Sequence, residues 1–159
     1  MSADTTPQSG STEHAKKTGP LAGMRVLELA QIMAGPTCGM LLADMGADVI
    51  KIEKLPGGDD SRGYREPRLR GVSAPYLVMN RNKRGMALNL KTEEGKAVLR
   101  HMVKSADVLL ENYRHDTLEK MGLGYEALKA INPGPCPTRL SSTRENEPSP
   151  CLPLTPAGG

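Results

Sequence analysis

Runs of apolar residues along the chain switch between strand-like and helix-like spacing, and the switches mark the elements. "MRVLEL" (24–29) is a short apolar run suited to a buried strand. "AQIMAG" (30–35) follows as a loop and Pro36 fits the first helical position. The helix runs to about Met45, with Met40, Leu41 and Leu42 on its inner side. Gly46 ends it, and "ADVIKIE" (47–53) is the next strand. Strand, helix and strand in such close succession predict a right-handed parallel crossover unit.

"KLPGGDDSRGYREPRLRGVSAPY" (54–76) carries three Pro and several Gly and reads as a long loop, of a length that is usually functional or mobile. A short strand is predicted around Met86 to Leu90. Thr92 caps the helix that follows, Glu93 and Glu94 complement its dipole, and Val98, Leu99, Met102 and Val103 form its buried stripe. "ADVLLEN" (106–112) is a third parallel-type strand. Asp116 caps a short helix ending at Gly122, and "YEALKAI" (125–131) is another, stopped by Asn132-Pro133. Residues 1–19, rich in Ser, Thr, Gly and Pro, read as a disordered leader. Residues 133–159 hold seven Pro and no aromatic residue, Val, Ile or Met, a composition expected to supply neither a sheet strand nor a core helix. The preceding βα pattern nevertheless asks for another strand there.

At 159 residues the chain is long enough for one domain. It has no Phe or Trp, so its core must be built from Leu, Val, Ile and the nine Met. A net charge of +3 gives no ground for expecting a nucleic-acid partner. No apolar run approaches a membrane span and the N-terminus has no apolar signal region, so a soluble, cytoplasmic protein without a membrane partner is expected. Three Cys without a CxxC pair give neither a disulfide framework nor a zinc site. His14, His101 and His115 are scattered, so no metal is expected. Cys38 falls in a first helical turn, where a thiol pKa can drop. With no base identifiable beside it, it reads as a small packing residue.

Charge is uneven. Residues 51–91 carry ten Lys and Arg against four Asp and Glu. Within this stretch "NRNKR" gathers Arg81, Lys83 and Arg84, and Lys91 follows a strand. At the carboxyl edge of a parallel sheet such residues suit a polyphosphate, and on a surface loop they are a solvated charge run. Gly35 and Gly39 also have two readings: an anion cradle at a helix N-terminus, or room for close strand–helix packing. They do not form the Gly-x-Gly-x-x-Gly fingerprint of dinucleotide sites. Glu53 therefore reads as a solvent-facing residue between Lys51 and Lys54 rather than a ribose ligand. Asp59 and Asp60 read as a solvated turn.

Three segments together carry a family resemblance: "LAGMRVLELAQIMAGPTCGMLLADMGADVIKIEKLPGGDDSR", "NRNKRGMALNLKTEEGK" and "ADVLLENYRHDTLEKMGLGYEALKAINP". Over residues 20–133 the chain resembles the N-terminal part of family III CoA-transferases, the group that includes formyl-CoA transferase, carnitine CoA-transferases and α-methylacyl-CoA racemase. The resemblance implies an α/β fold, here an incomplete Rossmann-like parallel sheet with flanking helices from the large domain of such enzymes. It implies coenzyme A as the ligand, with acyl-CoA and carboxylate small molecules as substrates and an interlocked homodimer as the family assembly. It places Met33 and Ala34 beside coenzyme A and Lys54 near its 3′-phosphorylated ADP end. Leu88, Asn89, Leu90 and Lys91 fall around the adenine and phosphates, and Asn112, Tyr113 and Arg114 along the same cleft. Lys120 stands where the family often has a phosphate-binding Arg, keeping the charge but not the bidentate geometry.

The family reaction runs through an Asp carboxylate that attacks the thioester. That Asp belongs downstream of the matched segments, as do the proton-transfer residues of the racemase branch. Residues 134–159 contain no Asp and do not resemble the family continuation. The expectation is thus a truncated or frame-shifted member with a Pro-rich, disordered tail at 134–159. It keeps part of the coenzyme A site and none of the catalytic residues. Two alternatives stand beside it: a non-catalytic coenzyme A-binding partner of a full-length relative, and a nucleotide-dependent oxidoreductase half-domain.

Overall fold

A computed structural model describes residues 17–114 and 116–133, together with the backbone of 136–139. In chain order the elements are β1 (Arg25–Glu28), α1 (Ala34–Asp44), β2 (Asp48–Lys54), a 3-10 turn (Asp60–Gly63), β3 (Arg68–Leu69), β4 (Val72–Ser73), α2 (Ala74–Met79), β5 (Arg84–Leu88), α3 (Glu93–Val103), β6 (Val108–Glu111), α4 (Thr117–Lys120), α5 (Tyr125–Ile131) and β7 (Cys136–Arg139). Five strands form one sheet in the order β5-β2-β1-β6-β7, with every neighbouring pair parallel. The chain builds outward from β1 through β2 to β5, then returns to the other side of β1 for β6. That reversal opens a crevice at the carboxyl ends of the strands, where ligands of open α/β sheets bind.

The period-two alternation of β1 and β2 sorts their side chains onto two faces. Leu27, Leu29, Ile50 and Ile52 point to the face covered by α3, α4 and α5, packing with Leu88, Leu99, Val103, Leu109, Leu118, Leu123 and Leu128. Val26, Val49 and Leu110 point to the other face, under Ala43 of α1. The α/β architecture predicted for the chain is the one observed.

The segment 54–76 is more ordered than a loop reading allows. It folds into the 3-10 turn, the β3–β4 antiparallel pair and the start of α2, whose N-terminus is capped by the Ser73 hydroxyl. Pro36 is the third helical residue of α1, still within the turn that needs no N–H donor. Leu41 is 52% exposed, because the buried set on α1 is Gly35, Pro36, Gly39, Met40 and Ala43, and Leu41 lies off that stripe. On α3 the buried set is Gly95, Leu99 and Val103, which turns Val98 outward. Thr92 caps α3 as expected, its hydroxyl accepting from the Gly95 N–H at 3.2 Å. Asp116 stands at the N-cap of α4 in the left-handed region (φ 59°) and makes no side-chain capping bond there.

The expectation that 133–159 supply no strand fails at Cys136–Arg139, which pair in parallel with β6. Among the described strands β7 lies at one end of the sheet, and an edge strand pairs on one side only, so the missing N–H of Pro137 is tolerated. The leader expected at 1–19 is described only from Lys17, whose ammonium donates to the carbonyls of Ala47 and Asn82. Residues 1–16, His115 and the tail from 140 lie outside the described residues.

Helix α1 comes down on the sheet at two glycines. A Cβ on Gly35 would sit 2.1 Å from that of Ala30, and one on Gly39 would sit 1.8 Å from Oε2 of Glu28. Both are impossible contacts, so of their two readings the structure supports close packing. Gly39→Ala is expected to destabilise the protein by about 3 kcal/mol, because a buried carboxylate would have to move. Gly85→Ala, whose Cβ meets nothing within 4 Å, is expected to stay within about 0.5 kcal/mol. Urea unfolding of both variants checks the contrast, and equal midpoints would refute it.

Candidate functional site

A groove of about 140 Å³ opens at the carboxyl ends of the strands, lined by Gln31, Ile52, Glu53, Lys54, Leu55, Leu88, Asn89, Leu90, Lys91, Tyr113 and Met121. Its floor is apolar, from Ile52, Leu88, Leu90 and Met121. Its charged rim comes from Lys54, which ends β2, and Lys91, which follows β5. Asn89 shapes this rim by accepting the Lys91 backbone N–H at 3.1 Å. Burial pushes the Tyr113 phenol pKa up, against the opposing hydrogen bond with the Gln31 side chain.

Of the residues that the sequence reading assigned to a ligand, six meet here: Lys54, Leu88, Asn89, Leu90, Lys91 and Tyr113. Five lie outside the lining. Met33 is the N-cap of α1 and 63% exposed, and Ala34 is the first residue of that helix. Helix α1 starts without a side-chain cap, so its first N–H groups are left to solvent or a ligand. Asn112 is engaged elsewhere: its amide accepts from the Gln31 N–H and donates to the Gln31 carbonyl, both at 2.9 Å, pinning the end of β1 to the end of β6. Arg114 is exposed just after β6, and Lys120 ends α4 next to Met121. The reading missed Gln31, Ile52, Glu53, Leu55 and Met121 as lining residues. Each lies within two residues of the end of a predicted element, which is the signal that could have found them.

The charged residues of β1, β2 and the following loop do something the sequence did not suggest. Glu28 and Lys51 are cross-strand neighbours in the β1–β2 register and both are buried beneath α1. The Lys51 ammonium lies 3.0 Å from Glu28 and 2.8 Å from Asp59, and donates to the Ala30 carbonyl at 2.9 Å. Lys83 reaches the other Glu28 oxygen at 2.7 Å and donates to the Pro36 carbonyl. Lys83 is therefore neither a polyphosphate ligand nor a solvated residue. Arg81 pairs with Asp44 and Arg84 with Asp48, so the "NRNKR" charges hold the strand-edge loop to α1 and β2.

Two further expectations are corrected. Asp59 is 2% exposed: its carboxylate accepts from the N–H and hydroxyl of Ser61 and from the N–H of Ile32. It thereby holds Ile32 at φ 70°, unusual for a β-branched residue. Glu53 is 6% exposed rather than solvent-facing, and receives the Asp59 N–H, two bonds from the Arg62 guanidinium and the Tyr76 hydroxyl. Arg62 also stacks on the Tyr76 ring, 3.9 Å from its centroid. The chain from Lys83 through Glu28, Lys51 and Asp59 to Glu53 and Arg62 thus fixes the 57–63 loop against the groove.

Burial alone raises the Asp59 carboxyl pKa, but Lys51 and the Ser61 donors outweigh it and hold the group below the ordinary carboxylate value. Burial likewise raises the Glu53 carboxyl pKa, and the bonds from Arg62, the Asp59 N–H and Tyr76 outweigh it and hold the group below the ordinary carboxylate value. Desolvation lowers the Lys83 ammonium pKa against the attraction of Glu28. At Cys38, burial and then Glu28 raise the thiol, which fits a packing residue.

Because Asp59 and Glu53 titrate lower folded than unfolded, the unfolded chain binds more protons as pH falls. Their stabilisation is present above the unfolded values near 4 and is lost as pH drops through the folded ones. Urea midpoints are expected to fall steeply below about pH 5. Asp59→Asn should be less stable at neutral pH and show a flatter acid limb; an unchanged acid limb would contradict the assignment.

Comparison with known proteins bears on the family and the fold. The family model for CoA-transferase family III matches residues 21–135. The chain is 46% identical over 128 residues to succinate–glutarate CoA-transferase of Agrobacterium fabrum, covering 77% of this chain and 32% of that protein. It is 41% identical over 114 residues to human succinyl-CoA:glutarate CoA-transferase, covering 72% and 26% respectively. Among solved structures it superposes on a hypothetical protein from Mycobacterium tuberculosis with a TM-score of 0.74 at 39% identity, covering 83% of this chain and 36% of that one. A CAIB/BAIF family protein from Brucella suis gives a TM-score of 0.70 at 43% identity, covering 79% and 33%. The chain spans about a third of the length of the curated relatives it matches. On sequence and fold alike, it belongs to CoA-transferase family III.

Proposed function

We propose that this chain contributes part of a coenzyme A site to the transfer of coenzyme A between an acyl-CoA and a carboxylic acid. The observation that carries the reading is the meeting of Lys54 and Lys91 over an apolar floor at the carboxyl edge of the sheet. Phosphates need cationic groups, and an adenine ring needs flat apolar contact. The groove is small beside the roughly 300–1,000 Å³ of pockets that enclose whole ligands. It therefore takes one end of coenzyme A, with Leu88 and Leu90 against the base and the two lysines at the phosphates. Asn89 orients Lys91, and Tyr113 closes the far wall. Met33, Ala34, Arg114 and Lys120 border the path of the remaining length, and Asn112 acts indirectly by holding Gln31 in place.

Transfer by this family's chemistry needs a carboxylate oxygen to attack the thioester carbonyl, expel the coenzyme A thiolate and form a mixed anhydride. Glu53 is the carboxylate in the groove wall, and it accepts four hydrogen bonds. A carboxylate held ionised and fully engaged in this way is a poor nucleophile. The chain's own share is binding and orientation, and the nucleophile comes from elsewhere. This favours the second reading, a non-catalytic coenzyme A-binding partner of a longer relative, whenever the chain acts with such a partner.

Calorimetric titration with coenzyme A is expected to show binding, and titration with NAD none. Replacing both rim lysines by Gln should weaken coenzyme A about tenfold or more. Unchanged affinity would remove the groove from consideration. The pure chain mixed with succinyl-CoA and glutarate, the substrates named for its relatives, is expected to show no turnover. Measurable transfer would mean that the nucleophile lies within this chain.

A further inference from the structure

The Lys54 ammonium does not stand free at the rim: it is ion-paired with the carboxylate of Asp60. Asp60 opens the 3-10 turn, and that turn is anchored by its neighbour Asp59 through Lys51 and Ser61. The backbone that presents Asp60 is therefore fixed, while its side chain is 57% exposed and bonds only to Lys54 among the described residues. Lys91, the other rim cation, has no ion-pair partner among the described residues. The two lysines of one rim are thus in different states, one neutralised and one available.

We infer that Asp60 is an affinity-setting competitor: its carboxylate occupies Lys54 until a phosphate group displaces it. This rests on the reading of the groove as a coenzyme A site. Solvent-exposed pairs of this kind are weak, so exchange is fast and the pair does not block binding. It does impose a threshold. A singly charged anion only matches what Asp60 already supplies, whereas a phosphomonoester, with close to two charges at neutral pH, outcompetes it. Asp60 also adds a like charge beside the bound phosphate, so its removal helps binding twice, by freeing Lys54 and by ending that repulsion.

The test is a double-mutant cycle. Coenzyme A is titrated calorimetrically at low ionic strength into the full chain and into Asp60→Asn, Lys54→Gln and the double variant. Asp60→Asn is expected to bind roughly threefold tighter than the parent, a gain of the size such exposed pairs are worth. Its thermal midpoint should be unchanged, because the anchors of the turn are intact. In the Lys54→Gln background most of that gain should vanish. Equal affinities for the parent and Asp60→Asn, or a gain that persists undiminished without Lys54, would overturn the inference while leaving the coenzyme A reading in place. Absence of coenzyme A binding to both the parent and Asp60→Asn would overturn the two together.

Discussion

One buried ammonium holds the working edge of this protein together. Lys51 lies between the carboxylates of Glu28 and Asp59 with almost no exposure, and it also donates to the Ala30 carbonyl just past β1. Two carboxylates brought so close out of water would repel each other, and a cation between them offsets that repulsion. Lys83 completes the balance from the other side of Glu28. Removing either cation would leave an unpaired buried charge, a far larger cost than the intact pairs repay in stability. Such networks are poor stabilisers compared with apolar packing, so their use here is positional.

What is positioned is the rim of the groove. Asp59 ties the 57–63 loop to Lys51 on the sheet side and to Ile32 in the turn after β1, while its own N–H anchors Glu53. Glu53 in turn orders Arg62 and Tyr76. The loop is thereby held beside the groove, where Asp60 pairs with Lys54 of the rim. Gly39 belongs to the same construction, since its lack of a side chain makes the space into which Glu28 fits beneath α1. A helix with any larger residue there would ride higher on the sheet and leave the charged cluster open to water.

Much of the fold was legible from residue spacing. The apolar runs "MRVLEL" and "ADVIKIE" foretold β1 and β2, Gly46 the end of α1, and Thr92 the start of α3, because each rests on local rules of hydrophobic pattern and capping. Boundaries and minor elements were less legible. The β3–β4 pair is two residues long on each side, too short for any period to register. The strand at 136–139 defies its composition because pairing with β6 decides its conformation more than intrinsic preference does. Six of the eleven residues assigned through the family resemblance line one groove, each at or just past a strand end. Asn112 met a backbone partner instead, which no spacing rule anticipates.

By itself the sequence determined the α/β class, the parallel order of its main elements and the side of the sheet where a ligand would sit, since these follow from hydrophobic period and chain direction. Only the tertiary structure decided what each charge does. Lys51, Lys83, Asp59 and Glu53 look like surface residues in the linear chain and are buried partners in the fold, whereas Lys54 and Lys91 remain at the rim. The physical reason is that a charge acquires its role from distance and solvation, and both are set by residues far away in sequence: Glu28 and Lys51 meet across two strands, and Asp59 returns from a loop to join them. Gly39 makes the same point from the other direction, a small residue whose purpose appears only once the carboxylate beneath it is in place.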